Sequence, residues 1–127
     1  MAKVLVAEDD KFLGEAYKTK LTSAGYEVKL VADGEEALRE LIDFAPAVVI
    51  LDLKMAKADG FYFLESLGKS AQPHPPIIVA SNSGDKTDID RAMKLGATDY
   101  VVKSNLSMKG LIEKIQLILQ PKNQVKT

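Results

Sequence analysis

Carboxylates directly follow two apolar runs of the 127-residue chain: Glu8-Asp9-Asp10 after Val4-Leu5-Val6-Ala7, and Asp52 after Val48-Val49-Ile50-Leu51. A third apolar run, Ile77-Ile78-Val79-Ala80, opens into Ser81-Asn82, and a fourth, Tyr100-Val101-Val102, into Lys103. Brought side by side, Glu8, Asp9 and Asp52 repel one another unless a cation joins them. Their oxygens are hard ligands with no histidine or cysteine nearby in sequence, which favours Mg²⁺, with Mn²⁺ as the alternative, over zinc. Mg²⁺ typically takes one or two carboxylates, keeps several waters and draws its remaining oxygens from a phosphoryl group. In such a site Asp52 can be a covalent nucleophile, while Lys103 and the metal neutralise charge on a transferring phosphoryl group.

These residues meet only if the elements that carry them lie side by side. Short apolar runs rich in β-branched residues, at Val4-Ala7, Val28-Val31, Ala47-Leu51, Ile77-Ala80 and Tyr100-Val102, alternate with stretches of helical period. That alternation predicts an α/β fold, a parallel sheet with helices on both faces. Leu13, Ala16, Tyr17, Lys20 and Leu21 suit one face of a first helix, and Ala37, Leu38, Leu41 and Ile42 one face of a second. A short third helix is expected over Phe61 to Leu67, a fourth around Ile89, Ala92 and Met93, and a fifth through Met108, Leu111, Ile112, Ile115, Ile118 and Leu119. Asp33-Gly34-Glu35-Glu36 has the spacing of a capping box at a helix start. Gly25 and Gly96 stand where helices should end in a left-handed cap, and Gln72-Pro73-His74-Pro75-Pro76 reads as an exposed loop. In an open parallel sheet the carboxyl-terminal edge is where ligands bind, and Glu8, Asp9, Asp52, Ser81 and Lys103 all fall on that edge.

Length and a hydrophobic content of 46% fit one compact domain with a real core, expected over residues 1–120, with 121–127 as a polar tail or the start of a linker. Lys+Arg 17 against Asp+Glu 18 leaves no field to draw the chain to a polyanion, so no nucleic-acid binding is expected of this domain alone. The absence of cysteine excludes disulfides, thiolate zinc sites and a thiol nucleophile, and suits a reducing cytoplasm. Met1-Ala2-Lys3 leads to acidic residues by Glu8, with no apolar core for a signal peptide or a membrane span, so a soluble, cytoplasmic protein is expected, with any output domain after the C-terminus.

With these residues in place, the sequence resembles the receiver domains of two-component response regulators over nearly its whole length. The segment Asp52-Leu53-Lys54-Met55-Ala56-Lys57-Ala58-Asp59-Gly60 looks like the family's D-x-x-M-P-x-x-D-G, and Gly96-Ala97-Thr98-Asp99-Tyr100 like its G-A-x-x-[YF]. The resemblance implies a flavodoxin-like, doubly wound sheet of order 2-1-3-4-5 and a phosphoacceptor at Asp52, loaded by a histidine kinase, a phosphotransfer protein or a small phosphodonor. It implies Mg²⁺ held by Asp9, Asp52 and the Lys54 backbone carbonyl, with Glu8 acting partly through water. Ser81, Lys103 and the Asn82 backbone would meet the phosphoryl oxygens. Ser81 and Tyr100 would form the switch: inward movement of Ser81 opens space for the Tyr100 ring and reshapes the face made by the fourth helix, fifth strand and fifth helix. A downstream protein or output domain would read that face, and an activation-linked dimer is an expectation of the same kind. Such a domain is not an enzyme acting on other molecules, although it promotes its own phosphorylation and dephosphorylation.

The chain departs from the family pattern at three positions. Ala56 replaces the usual proline, which should loosen the loop after Asp52. Ser104 follows Lys103 where proline is usual, often after a cis bond; a cis bond before serine costs ~3 kcal/mol, so a trans or strained peptide is expected. Asn82 stands where a small residue is common beside the phosphoryl group, which bears on the rate of phosphorylation and hydrolysis. Each residue alone also has a plainer role: Asp9 or Asp10 as a helix cap, Ser81 likewise, Lys103, Lys57 and Asp59 as surface charges, His74 as solvated, and Tyr100 as a core residue with its hydroxyl in water. Two other functions fit the same sheet. A pseudo-receiver binds partners without chemistry but usually lacks part of the acidic cluster or the lysine. A dehalogenase-type phosphatase wants an aspartate where Lys54 stands, and a dinucleotide or flavin protein a glycine-rich turn where Glu8-Asp9-Asp10 stands.

Overall fold

The computed structural model describes residues 1–70 and 73–120. Five strands alternate with five helices: β1 (Lys3–Ala7), α1 (Lys11–Ser23), β2 (Glu27–Val31), α2 (Gly34–Asp43), β3 (Val48–Leu51), α3 (Gly60–Gly68), β4 (Ile77–Ser81), α4 (Lys86–Lys94), β5 (Asp99–Val102) and α5 (Met108–Leu119), with a 3₁₀ turn at Lys103–Asn105 before α5. The sheet is parallel throughout, in the order β2-β1-β3-β4-β5, as the resemblance implied. Every strand lies within a residue or so of its expected place.

Each central strand is buried on both faces, so successive side chains enter two separate cores. Leu5, Ala7, Val49, Leu51, Ile77 and Val79 meet Ala37 of α2, Phe63, Leu64 and Leu67 of α3, and Ala92 of α4. Val4, Val6, Val48, Ile50, Ile78 and Ala80 meet Tyr17 and Leu21 of α1 and Leu111 and Ile115 of α5. Burying each such aliphatic side chain contributes roughly 1.5–3 kcal/mol. The near-continuous apolar runs of β1, β3 and β4 are therefore the signature of a sheet covered twice.

Asp10, Asp33, Asp59 and Ser107 start α1, α2, α3 and α5, each accepting a hydrogen bond from a first-turn amide. In the predicted capping box, Glu36 reaches back to the amide of Ala32 at 3.4 Å, one residue before the cap. Gly25 and Gly96 take φ values of +99° and +114° at the expected helix ends.

Three helix faces differ from the expectation. The buried stripe of α1 is Gly14, Tyr17 and Leu21, with Gly14 facing Leu30, so Ala16 and Lys20 face out. Ile42 is exposed, because Ala37, Leu38 and Leu41 already fill the inward arc of α2. Met93 is exposed as well, and α4 buries only Ala92. Of the proline loop, Pro73 to Pro76 has no regular structure and His74 is exposed. Gln72 and the tail 121–127 lie outside the described residues. Among the described residues no helix is long and apolar enough to cross a membrane.

Gly60, the first residue of α3, packs against the backbone that follows β3. A Cβ there would collide with the Asp52 carbonyl oxygen and lie 2.8 Å from Leu53 Cα. Gly60→Ala should therefore destabilise the fold by roughly 2–3 kcal/mol. Gly68→Ala, where a Cβ meets nothing within 4 Å, should be neutral or slightly stabilising. Chemical denaturation of both variants checks this, and equal midpoints would remove the steric account.

Candidate functional site

The register of β1 on β3 decides what faces what: Ala7 pairs with Leu51, so the residues that leave the two strands, Glu8 and Asp52, emerge together. The Asp52 amide donates to the Ala7 carbonyl at 3.0 Å, and the Glu8 amide to the Val31 carbonyl at 2.9 Å, extending the ladders into the site. In the order 2-1-3-4-5 the strand sequence reverses between β1 and β3, and such switch points leave a crevice at the strand ends. The cleft here has a volume of about 230 Å³ and is walled by Glu8, Asp9, Asp52, Lys54, Ser81, Asn82 and Lys103 among others.

Lys103 crosses this cleft. Its ammonium donates to Glu8 Oε1 at 2.6 Å and to Asp52 Oδ2 at 3.3 Å. The side chains of Lys103, Glu8 and Asp52 are 14%, 3% and 10% exposed, so these are largely desolvated charges. Burial pushes the Glu8 carboxyl above its usual 4.5, the nearby Asp52 charge adds to the rise, and the Lys103 hydrogen bond opposes it. Tyr17, on α1 beneath the site, has its hydroxyl pKa raised first by burial and then by the charges of Glu8 and Asp52.

Backbone amides hold the remaining carboxylate oxygens. Asp52 Oδ1 accepts from the Lys54 amide at 3.3 Å and Glu8 Oε2 from the Asp10 amide at 3.2 Å. Asp9 Oδ2 accepts from the Ala56 amide at 3.0 Å. Proline has no N–H, so Ala56 ties the loop to Asp9 through a bond the usual residue could not make. The expected loosening is offset at this point. Asp10, and not Asp9, caps α1, which leaves Asp9 directed to the cleft.

Oxygen atoms of Glu8, Asp9 and Asp52 lie within 4.8 Å of one another. Three carboxylates against one ammonium leave the cluster negative, and all donors are hard oxygens. The residues present fit a metal ion of the oxygen-seeking class.

Ser81 is buried at the end of β4, and its hydroxyl accepts from the Ser83 amide at 3.1 Å, a turn within the β4–α4 loop. Asn82 is exposed at the rim. The Lys103–Ser104 peptide is trans and lies in the 3₁₀ turn, which still delivers Lys103 to both carboxylates. Tyr100 lies outside the cleft wall: its ring packs on the α2–α3–α4 core, and its hydroxyl donates to the Ser83 carbonyl at 2.8 Å, where water had been the simpler expectation. Asp59 serves as the α3 cap, while Lys57 is exposed as expected.

Residues 4–116 match the family model described as the response regulator receiver domain. The chain belongs to that family. It is 38% identical over 122 residues to the ycf27 protein of Guillardia theta, named a probable transcriptional regulator, covering 96% of this chain and 47% of that one. The receiver domain of Francisella response regulator 1452 superposes with a TM-score of 0.84 at 30% identity, over 93% of this chain and 96% of that chain. Vibrio cholerae chemotaxis protein CheY4 gives 0.85 at 30% identity, over 94% and 99%. The receiver domain spans about half the length of the ycf27 relatives it matches. Phosphoryl-transfer signalling in two-component systems, with histidine kinases and output domains, is the role of this family.

The receiver fold thus brings together Glu8, Asp9, Asp52, Lys54, Ser81, Asn82 and Lys103, and leaves Tyr100 two hydrogen bonds from Ser81, through Ser83. Sequence reasoning missed Ser83, Tyr17 and the close packing of Gly60. Tyr17 carried only a core signal and Ser83 only a loop signal, whereas Gly60 was visible inside a motif without its steric reason.

The Glu8 shift has a definite sign for stability. With its folded pKa raised, Glu8 contributes stability that is fully present below 4.5 and is lost as pH rises through the folded value. At pH 7 without divalent cations the charged Glu8 therefore costs the receiver domain stability, first through its burial and then through repulsion from Asp52. Asp52→Asn should raise its stability by ~1 kcal/mol, or roughly 4 °C in Tm. Thermal melts in chelator check this, and a lower midpoint for the variant would show that the Lys103 bond outweighs the repulsion.

Proposed function

We propose that Asp52 is the phosphoacceptor of this receiver domain. The observation that carries the proposal is Lys103, whose ammonium bridges Glu8 and Asp52 at 2.6 and 3.3 Å in a cleft that also presents Ser81. A carboxylate oxygen of Asp52 attacks phosphorus, a P–O bond forms, and the P–N bond to the imidazole of the phosphorylated histidine breaks, with the electron pair returning to the ring nitrogen. Lys103 turns from Asp52 to the phosphoryl oxygens and holds their charge, joined by the Ser81 hydroxyl and the Asn82 amide. Transfers of this kind depend almost wholly on position and charge, which is what these residues supply.

Asp9, Asp52 and the Lys54 backbone carbonyl would hold Mg²⁺, with Mn²⁺ as the alternative, and Glu8 would act through water. Bound there, the ion neutralises charge on the transferring group. Asp9 is held toward the cleft by Ala56, and Glu8 is kept in place by Lys103 and the Asp10 amide. The domain is a signalling module that promotes its own phosphorylation and dephosphorylation. Its donor is a histidine kinase, a phosphotransfer protein or a small phosphodonor. Ser81 and Tyr100 pass the change to the α4-β5-α5 face, which a downstream protein or output domain reads, with dimerisation on activation. The near balance of charge supports a domain that binds no nucleic acid by itself, and we place it in the cytoplasm, off the membrane.

With Mg²⁺ and acetyl phosphate, the protein should gain one hydroxylamine-labile phosphoryl group, and Asp52→Ala none. Lys103→Ala should slow the gain by about a hundredfold, the usual effect of removing one charge-stabilising donor. Intact-mass measurement reads both. A folded wild type that stays unmodified would hand the site to the pseudo-receiver alternative. On activation with beryllofluoride, amide resonances of α4 and α5 should shift in wild type and far less in Tyr100→Ala; equal shifts would disconnect Tyr100 from the output face.

A further inference from the structure

Ser83 joins three parts of the molecule. Its amide donates to Ser81 Oγ at 3.1 Å, and its carbonyl accepts the Tyr100 hydroxyl at 2.8 Å. Its hydroxyl donates to Asp88 Oδ2 at 2.6 Å and accepts from the Asp85 amide at 3.3 Å. Ser81 stands in the wall of the cleft, Tyr100 on β5, and Asp88 in the first turn of α4. One residue outside the cleft therefore touches the site hydroxyl, the Tyr100 hydroxyl and a helix start.

Physical chemistry explains why the helix start depends on this contact. Asp85 precedes α4 but makes no side-chain cap bond. In a capping box the third helical residue reaches back to the amide of the cap. Here Asp88, the third residue, takes the Ser83 hydroxyl instead, and that hydroxyl takes the Asp85 amide. An O–H···O⁻ bond of 2.6 Å belongs to the short, strong class. The apolar anchor of α4 is small: within the helix only Ala92 is buried, Leu95 packs on the core at its C-terminal end, and Arg91 lies 4.0 Å from the Phe61 ring centroid with its guanidinium 2.9 Å from Glu65. A helix with so small an apolar anchor starts where its polar contacts put it.

We propose that Ser83, pinned by Asp88, is the positioning residue that couples Ser81 to Tyr100 and to the first turn of α4. The nature of the signal rests on the reading of Asp52 as phosphoacceptor. When the Ser81 hydroxyl moves into the cleft, the Ser83 amide loses its acceptor and the Ser83 backbone shifts. The carbonyl that holds Tyr100 moves with it, and the Asp88 carboxylate carries the shift into α4. Without the Ser83 hydroxyl or the Asp88 carboxylate, the amide and carbonyl of Ser83 remain but are no longer fixed relative to the helix.

The test uses the full chain with Ser83→Ala, Asp88→Ala, the double variant and Ser83→Thr, followed by nuclear magnetic resonance. Before any addition, both single variants should shift the Tyr100 ring and α4 amide signals in the same direction, with no further shift in the double variant and recovery in Ser83→Thr. Mg²⁺ affinity should stay within about twofold of wild type, because no cleft ligand is touched. Beryllofluoride with Mg²⁺ should still bind, while the shifts it induces at Tyr100 and α4 are largely lost. The coupling is overturned if Tyr100 signals are unchanged in both single variants, or if the two substitutions act additively as independent sites. Failure of wild type to bind beryllofluoride would overturn the Asp52 reading instead, and the unliganded spectra would still decide the coupling.

Discussion

Everything in the cleft is arranged around one ammonium among three carboxylates. Lys103 at 2.6 Å from Glu8 and 3.3 Å from Asp52 makes a cluster of buried like charges tolerable without removing its net negative charge. A buried pair is weak support for stability because desolvation offsets much of the attraction. A group so placed is better understood by what it is ready to meet. The residual negative charge favours a divalent cation, and the ammonium stands beside the carboxylate on which the proposed phosphoryl group would sit. Both properties require the carboxylates to stay close, which a self-repelling cluster does only on a rigid support.

That support is the doubly covered sheet, and its precision at the site comes from backbone contacts. The β1–β3 ladder fixes Glu8 against Asp52. Gly60 lets the start of α3 sit directly on the Asp52–Leu53 backbone, and the Gly34 amide donates to Ala58 O at 2.6 Å on the other side of the same loop. The loop that carries Lys54 and Ala56 is therefore clamped at both flanks, and the Ala56 amide in turn holds Asp9. Removing the usual proline took away a rigid φ and supplied a donor. The two effects act on the same loop in opposite directions.

What was legible in the sequence follows from which interactions are periodic and which are not. Strands β1, β3 and β4 were visible because burial on both faces demands unbroken apolar runs, and the residues leaving them were visible because a carboxylate or lysine after such a run is conspicuous. Helix faces were less legible. The inward arc of α1 turned on Gly14, a residue with no hydrophobic signal, and Ile42 and Met93 looked like core because sequence shows apolarity and not direction. The family resemblance supplied strand order and the candidate role of Tyr100, neither of which periodicity contains. Ser83 was illegible, since its importance lies in three hydrogen bonds to residues on separate elements.

Those same facts place the adaptable part of the molecule. Most of the sheet and α3 are locked by large buried side chains, whereas α4 rests on Ala92, an ion pair half open to solvent and the Ser83–Asp88 bond. Segments held by few apolar contacts lie at the low end of local stability, and moving elements are drawn from that end. A net hydrogen bond is worth about 1 kcal/mol, while a phosphoryl group placed on a carboxylate replaces about one negative charge by about two, in a site already short of cations. An input of that size can re-sort polar contacts around Ser83 but cannot repack Phe63 or Ile50. The chemistry proposed at Asp52 and the sparse apolar anchoring of α4 are thus matched in magnitude, which a switch requires and a merely stable domain does not.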